Sequence, residues 1–267
     1  MKKSTIAVFW ILAIILTLST SVYQRLTGPT NPKKTTISIN NKEYKLSFPR
    51  SATSNNNKIT LNIADSNVKA QLIYRKYPTN EDYSKIDFQN NGSSLFANLP
   101  IQPSAGKLEY YVIIDDEKLF ETQPLIVRFK GEVPAGVLIP HIIFMFVSML
   151  FAAYGLILAI ANKKNVLRYV ILTITTLIIG GFIFGPMVQK YAFGVYWSGF
   201  PFGYDLTDNK TLIALVVLLI NMLFLKKKIF RITSIIAFSV MITIFCIPHS
   251  LRGSELNHQS GKVETAR

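Results

Sequence analysis

The sequence predicts a membrane α-helical bundle joined to an all-β domain, an immunoglobulin- or fibronectin-like sandwich. Three observations predict it. Apolar residues concentrate in five long runs. Basic residues crowd the short segments at the ends of those runs. Between the first and second runs lies a polar segment whose hydrophobics alternate with period two. The chain of 267 residues is 49% hydrophobic but only 16% charged, well below the roughly 25% of soluble domains.

The apolar runs come first. A helix needs about 20 mostly apolar residues to cross a bilayer, and the candidates are 6–23, 136–161, 169–185, 211–225 and 232–247. The fourth is short and is expected to begin earlier. The first follows Lys2 and Lys3. Its basic start, apolar core and small residues at 19–21 also describe a signal peptide. Thr20-Ser21-Val22 fits the small-residue rule for cleavage poorly, so a retained anchor over 1–23 is expected, with a signal peptide as the alternative.

Charge sets the orientation. Lys163, Lys164 and Arg168 follow the second run, and Lys226, Lys227, Lys228 and Arg231 follow the fourth, with no acidic residue among them. The positive-inside rule puts these clusters and the N-terminus in the cytoplasm. The segments 24–135, 187–210 and 249–267 then lie outside, and the bundle spans 136–248. The expected location is the bacterial cytoplasmic (inner) membrane, multi-pass. The same clustering accounts for the net charge of +14 and removes the case for nucleic acid. The segment 24–135 holds 15 basic and 11 acidic residues, an ordinary mixed surface, so the lipid bilayer is the partner that charge implies.

Within that segment, Leu108, Tyr110, Val112 and Ile114 alternate onto one face, as do Ala70, Leu72 and Tyr74. Leu125, Val127 and Phe129 alternate with Ile126, Arg128 and Lys130. Such alternation marks antiparallel strands with one buried face. Turn-rich breaks fall at 54–57, 77–80, 90–94 and 100–106. About seven strands at this spacing fit a sandwich. Asp115-Asp116-Glu117 reads as a hairpin tip, because the ligand spacing of a calcium loop is missing. The segment has no histidine or cysteine, and its expected role is binding or positioning.

Chemistry-bearing residues are few. Cys246 is the single cysteine, which excludes an intrachain disulfide and a cysteine-based zinc site. The histidines are His141, His249 and His258. His141, Met145 and Met149 recur at i, i+4 and i+8, one face of a helix. Imidazole and thioether suit copper or haem iron. The expectation is haem b or copper between His141 and His249, with Met145 as a further copper ligand and Lys190, Lys210 and Arg252 near haem propionates. Ordinary packing competes: methionine fills gaps, and Met149 lies about 12 Å deeper than His141 along a helix.

The stretch YWSGFPFGYDLTDNK, 196–210, carries Tyr196, Trp197, Phe200, Phe202 and Tyr204 among glycines, then Asp205 and Asp208. An interfacial aromatic belt is one reading, and a quinone or substrate pocket is another. Either aspartate could cap the following helix. An ordered cap-like loop is expected, with Trp197, Tyr204, Asp205 and Asp208 as its surface. Gly180-Gly181 and Gly185-Pro186 are expected to allow close helix approach and to end or kink the third span.

YQRLTGPTNP, YRKYPTN, LPIQPSAGKLEYYV, FGPMVQKYAFGVYWSGFPFGYDLTDNKT and IPHSLRGSEL together resemble a family of bacterial multi-pass membrane proteins of uncharacterised activity. The resemblance covers nearly the whole chain. It implies that the segment after the first span belongs to the mature architecture, and it supplies no catalytic residue. No phosphate-loop, zinc-protease or nucleophile-elbow motif occurs. Two functions are expected. One is a haem- or metal-binding redox or respiratory accessory protein with its site on the outer face. The alternative is a non-enzymatic structural or assembly factor whose β-sandwich binds a partner protein.

Overall fold

The computed structural model describes residues 2–65, 67–249, 251 and 253–265. Helix α1 (Lys3–Thr27) leads into a strand-rich region. Strands β1 (Lys33–Ile39) and β2 (Lys42–Phe48) form a hairpin. Asn40 and Asn41 turn it with φ of 50° and 61°. Asparagine tolerates that left-handed backbone, which matches the twist of the flanking strands. Next come β3 (Ser51–Ala52), β4 (Lys58–Leu61), β5 (Ala70–Tyr77), β6 (Ser84–Asp87), β7 (Gln89–Asn90) and β8 (Leu95–Asn98). Then follow β9 (Lys107–Ile114), β10 (Glu117–Leu119) and β11 (Leu125–Phe129).

The larger sheet runs β3-β11-β9-β5-β6, with β10 also on β9, and the smaller one runs β4-β8-β7. All pairs are antiparallel except β11 with β3. One apolar core joins these sheets and the hairpin, through Phe48, Leu61, Leu72, Leu95, Leu108, Val112 and Val127. The alternating residues of β9 point into it as their period requires. Tyr110 is fully buried, and its hydroxyl donates to Pro49 O at 2.7 Å. Burial pushes that phenol far above its ordinary pKa. Asp115 and Asp116 form the β9–β10 turn, where Asp115 Oδ1 accepts the Lys69 N–H at 3.0 Å.

The rest is helical. α2 (Ala135–Ile160) is followed by α3 (Val166–Leu177), which continues through a π-helical segment (Ile178–Phe184) into α4 (Gly185–Phe193). α5 (Leu206–Met222) and α6 (Phe230–Cys246) complete the bundle. A short hairpin, β12 (Ser254–Leu256) and β13 (Val263–Thr265), ends the described chain. Among the described residues, three helices are long and apolar enough to cross a membrane: Lys3–Thr27, Ala135–Ile160 and Val166–Phe193, with mean hydropathies of 2.2, 2.5 and 2.0. α6 is apolar but shorter, and α5 carries buried Asp208 and Lys210 in its first turns.

The expected end of the third span at 185 is replaced by continuation to Phe193. Proline breaks an α-helix by lacking an N–H and striking the carbonyl four residues back. Here the preceding turn is widened, and Gly185 N–H reaches Gly180 O, five residues back. The helix therefore passes Pro186, and the loop before α5 shrinks to 194–205.

α1 belongs to the bundle. Trp10 stacks on Tyr154 with centroids 4.1 Å apart, and Tyr154 meets Tyr169 at 4.6 Å. Ala13, Thr17 and Thr20 are buried. At the end of the bundle away from the strands, Asn221 Nδ2 donates to Ser234 Oγ at 3.1 Å, and Thr233 Oγ1 donates to Asn221 Oδ1 at 2.6 Å. Arg231 Nε donates to Ala159 O at 2.8 Å, closing the C-terminus of α2.

Candidate functional site

A second group of polar residues gathers where the bundle meets the strands. Asp205 caps α5: its Oδ1 accepts the Thr207 N–H at 2.8 Å, as a short acidic side chain before a helix does. Its Oδ2 accepts Ser254 N–H at 3.0 Å and Ser254 Oγ–H at 3.2 Å. The same carboxylate thus starts a helix and holds the C-terminal segment. Asp205 is 4% exposed and Ser254 is 0% exposed, so these bonds are shielded from competing water.

Asp208, in the first turn of α5, organises the loop. Its Oδ2 accepts Ser198 N–H at 2.7 Å, Gly199 N–H at 3.1 Å and Gln189 Nε2–H at 3.0 Å. Asn209 Oδ1 accepts Phe200 N–H at 2.7 Å. The loop therefore finds its backbone partners on α5 side chains instead of on a strand. A Cβ at Gly199 would stand 2.6 Å from Asp208 Cβ, so only glycine permits this approach. Trp197 stacks on Phe182 at 5.7 Å, and its Nε1–H donates to Phe200 O at 3.1 Å. Phe202 and Tyr204 are 82% and 81% exposed.

Arg128 of β11 approaches from the strands. It is buried, its guanidinium lies 3.9 Å from the Phe193 centroid, and Nη2 donates to Ser254 O. Burial lowers its pKa to about 10, against the opposing pull of Asp205 and Glu255. Glu255 pairs with Lys107 Nζ at 2.9 Å, and Leu256 N–H donates to Ala105 O at 3.1 Å. Gly131 N–H donates to Ala192 O at 2.8 Å, and a Cβ there would stand 2.2 Å from Tyr191 O. Strand, loop, helix and C-terminal segment form one hydrogen-bonded junction.

Lys210 is held inside the protein. It is 1% exposed, and Nζ donates to Ile247 O at 2.7 Å. Gln24 Nε2 donates to Phe245 O at 2.8 Å and Ile247 O at 3.1 Å. Both side chains satisfy carbonyls at the C-terminus of α6, the negative end of its dipole. Gln24 also ties α1 to that terminus.

His141 Nδ1 lies 2.9 Å from Gly180 O. A carbonyl only accepts, so Nδ1 carries the proton and Nε2 keeps its lone pair. Met145 Sδ lies beside Gly180 and Gly181 in the same contact, while Met149 is buried deeper in the core of the bundle. His249 is exposed. His258 Nε2 lies 3.3 Å from Tyr77 O, on the strand side. Arg252 lies outside the described residues. Among the described residues, no three His, Cys, Asp or Glu side chains converge as a metal-binding group. Among the described residues, recesses lie elsewhere, one around Asn221 and Thr233 at the far end and another along Lys34 and Lys45 of the β1–β2 hairpin.

Sequence reasoning missed Arg128, Gln189, Ser198, Ser254 and Gln24. Arg128 carried one signal, a lone charge inside an otherwise apolar strand; the others look like ordinary surface residues. Comparison of the chain with known protein families, curated proteins and solved structures gives no match.

Proposed function

We propose that this chain is a non-enzymatic, multi-pass protein of the bacterial cytoplasmic membrane. It mounts an immunoglobulin- or fibronectin-like sandwich rigidly on the outer face as a docking platform for a partner protein. The observation that carries this reading is the Arg128–Ser254–Asp205 chain of contacts. Asp205, Asp208 and Lys210 are each engaged by groups that fix architecture, not held open toward a substrate. The resemblance to bacterial multi-pass membrane proteins agrees with it. So does charge: Arg231 closes the C-terminus of α2 at the end away from the strands, and Lys163, Lys164 and Lys226–Lys228 adjoin that end in sequence. That is the distribution of a cytoplasmic face. The packing of Trp10, Ala13 and Gln24 supports retention of α1 as an anchor.

The test is crosslinking in native membranes followed by purification of the full chain. Wild type and a His141→Ala/His249→Ala variant are expected to capture the same partner, and Asp205→Ala much less of it. Capture that follows the histidines and ignores Asp205 overturns the reading.

A second reading rests on the tautomer of His141. A histidine whose Nδ1–H is held by a carbonyl leaves Nε2 for a metal, and the Met145 thioether, four residues on along the same helix, is a ligand type suited to copper. Metal analysis and an optical spectrum of purified protein test it. Stoichiometric copper, lost in the double histidine variant, is the expected result; a metal-free wild type overturns it.

A further inference from the structure

The aromatic loop 194–205 is built to a degree that its exposed side chains do not explain. Its backbone is fixed by Asp208, Asn209 and Trp197, while Phe200, Phe202 and Tyr204 are 66%, 82% and 81% exposed. Ordering a loop costs conformational entropy, and leaving three aromatics in water forgoes their burial.

The loop's position supplies the occupant. Phe200 N–H is bonded to Asn209 of α5, so the loop folds back beside the first turn of that helix. Asn209, Ile213, Val216 and Ile220 share one helical face by spacing, and Ile213, Val216 and Ile220 are 47%, 43% and 49% exposed. The exposed aromatics thus continue an apolar stripe that runs down α5. Lys190 closes the other side: its Nζ donates to Gly194 O at 2.8 Å and lies 5.3 Å from the Tyr196 centroid. Aromatic rings with a reaching lysine at a helix end are the composition of a membrane–water interface.

We infer that this loop is an interfacial ledge whose Phe200, Phe202 and Tyr204 rings insert among the outer-leaflet headgroups and first acyl carbons. Through Asp208 and Asp205 the ledge is wired to the junction, so it sets the height and tilt at which the β-domain stands above the bilayer. The inference rests on the membrane orientation proposed above.

The test labels single cysteines in a Cys246→Ser background of the full chain with an environment-sensitive fluorophore. The sites are Phe202→Cys, Val216→Cys as a lipid reference and Lys34→Cys as an aqueous reference, in vesicles of phosphatidylethanolamine and phosphatidylglycerol. The label at 202 is expected to be blue-shifted, quenched by headgroup-proximal lipid quenchers and protected from aqueous iodide. Iodide quenching at 202 equal to that at 34, with 216 still lipid-quenched, overturns the ledge and leaves the membrane reading standing. Protection at 202 from both quenchers means that protein covers the loop, and also overturns it. Iodide access at 216 removes the membrane reading and the ledge together.

Discussion

The strand core and the junction are both shielded from water, but they are held together by opposite means. The core uses residues such as Leu72, Leu108, Val112 and Val127, whose attraction is non-directional and tolerates small shifts. The junction uses Asp205, Asp208, Arg128 and Ser254, whose bonds require specific partners. An apolar core loses stability in proportion to the atoms removed. A buried polar junction fails when one partner leaves the rest unsatisfied. The first device builds a folded unit, and the second fixes how that unit sits on another.

Four substitutions sharpen this contrast. The largest effect is expected for Leu72→Ala, which opens a cavity in the strand core and costs about 4 kcal/mol; denaturant titration in detergent should show the β-sheet signal lost early while the helical signal persists. Asp205→Ala is expected to cost about 3 kcal/mol, by removing the α5 cap and leaving buried Arg128 without the opposing charge of Asp205. Here the order should invert, with Trp197 fluorescence changing before the β-sheet signal. If both variants melt every probe together, core and junction are one cooperative unit and the distinction fails.

Tyr110→Phe removes one buried hydrogen bond inside the strand core and should cost about 1 kcal/mol, read as a shift in the denaturant midpoint. Arg128→Met is expected to cost about 1 kcal/mol at neutral pH, because removing a costly buried charge offsets only part of the loss from leaving Ser254 O and buried Asp205 without their partner. The pH dependence has a definite sign. Burial lowers the folded-state pKa of Arg128 to about 10, so above that pH the folded chain gives up a proton that the unfolded one still holds. Wild type should therefore gain stability relative to Arg128→Met as pH rises past that point. A falling difference would show that the guanidinium is favourably paired.

Much of the fold could be read directly from residue periods. The runs at 6–23 and 136–161 are α1 and α2 within a few residues, because a long apolar stretch has few alternatives to a helix. Alternation in β9 named its buried face. Asp205 was legible as a possible cap, since capping is decided within one helical turn. The extension of the third helix past Pro186 was not, because it depends on a π turn whose hydrogen bonds no residue pattern announces.

The sequence by itself determined which segments are apolar enough to span, which alternate as strands, and which residues can cap a helix. Each of these is set by neighbours a few positions away. Only the tertiary structure decided what the polar residues do. Arg128 meets Ser254 across 126 positions, Lys210 meets Ile247 across 37, and Gln24 meets Phe245 across 221. A hydrogen bond depends on distance and direction in space, and a linear chain records neither for residues so far apart.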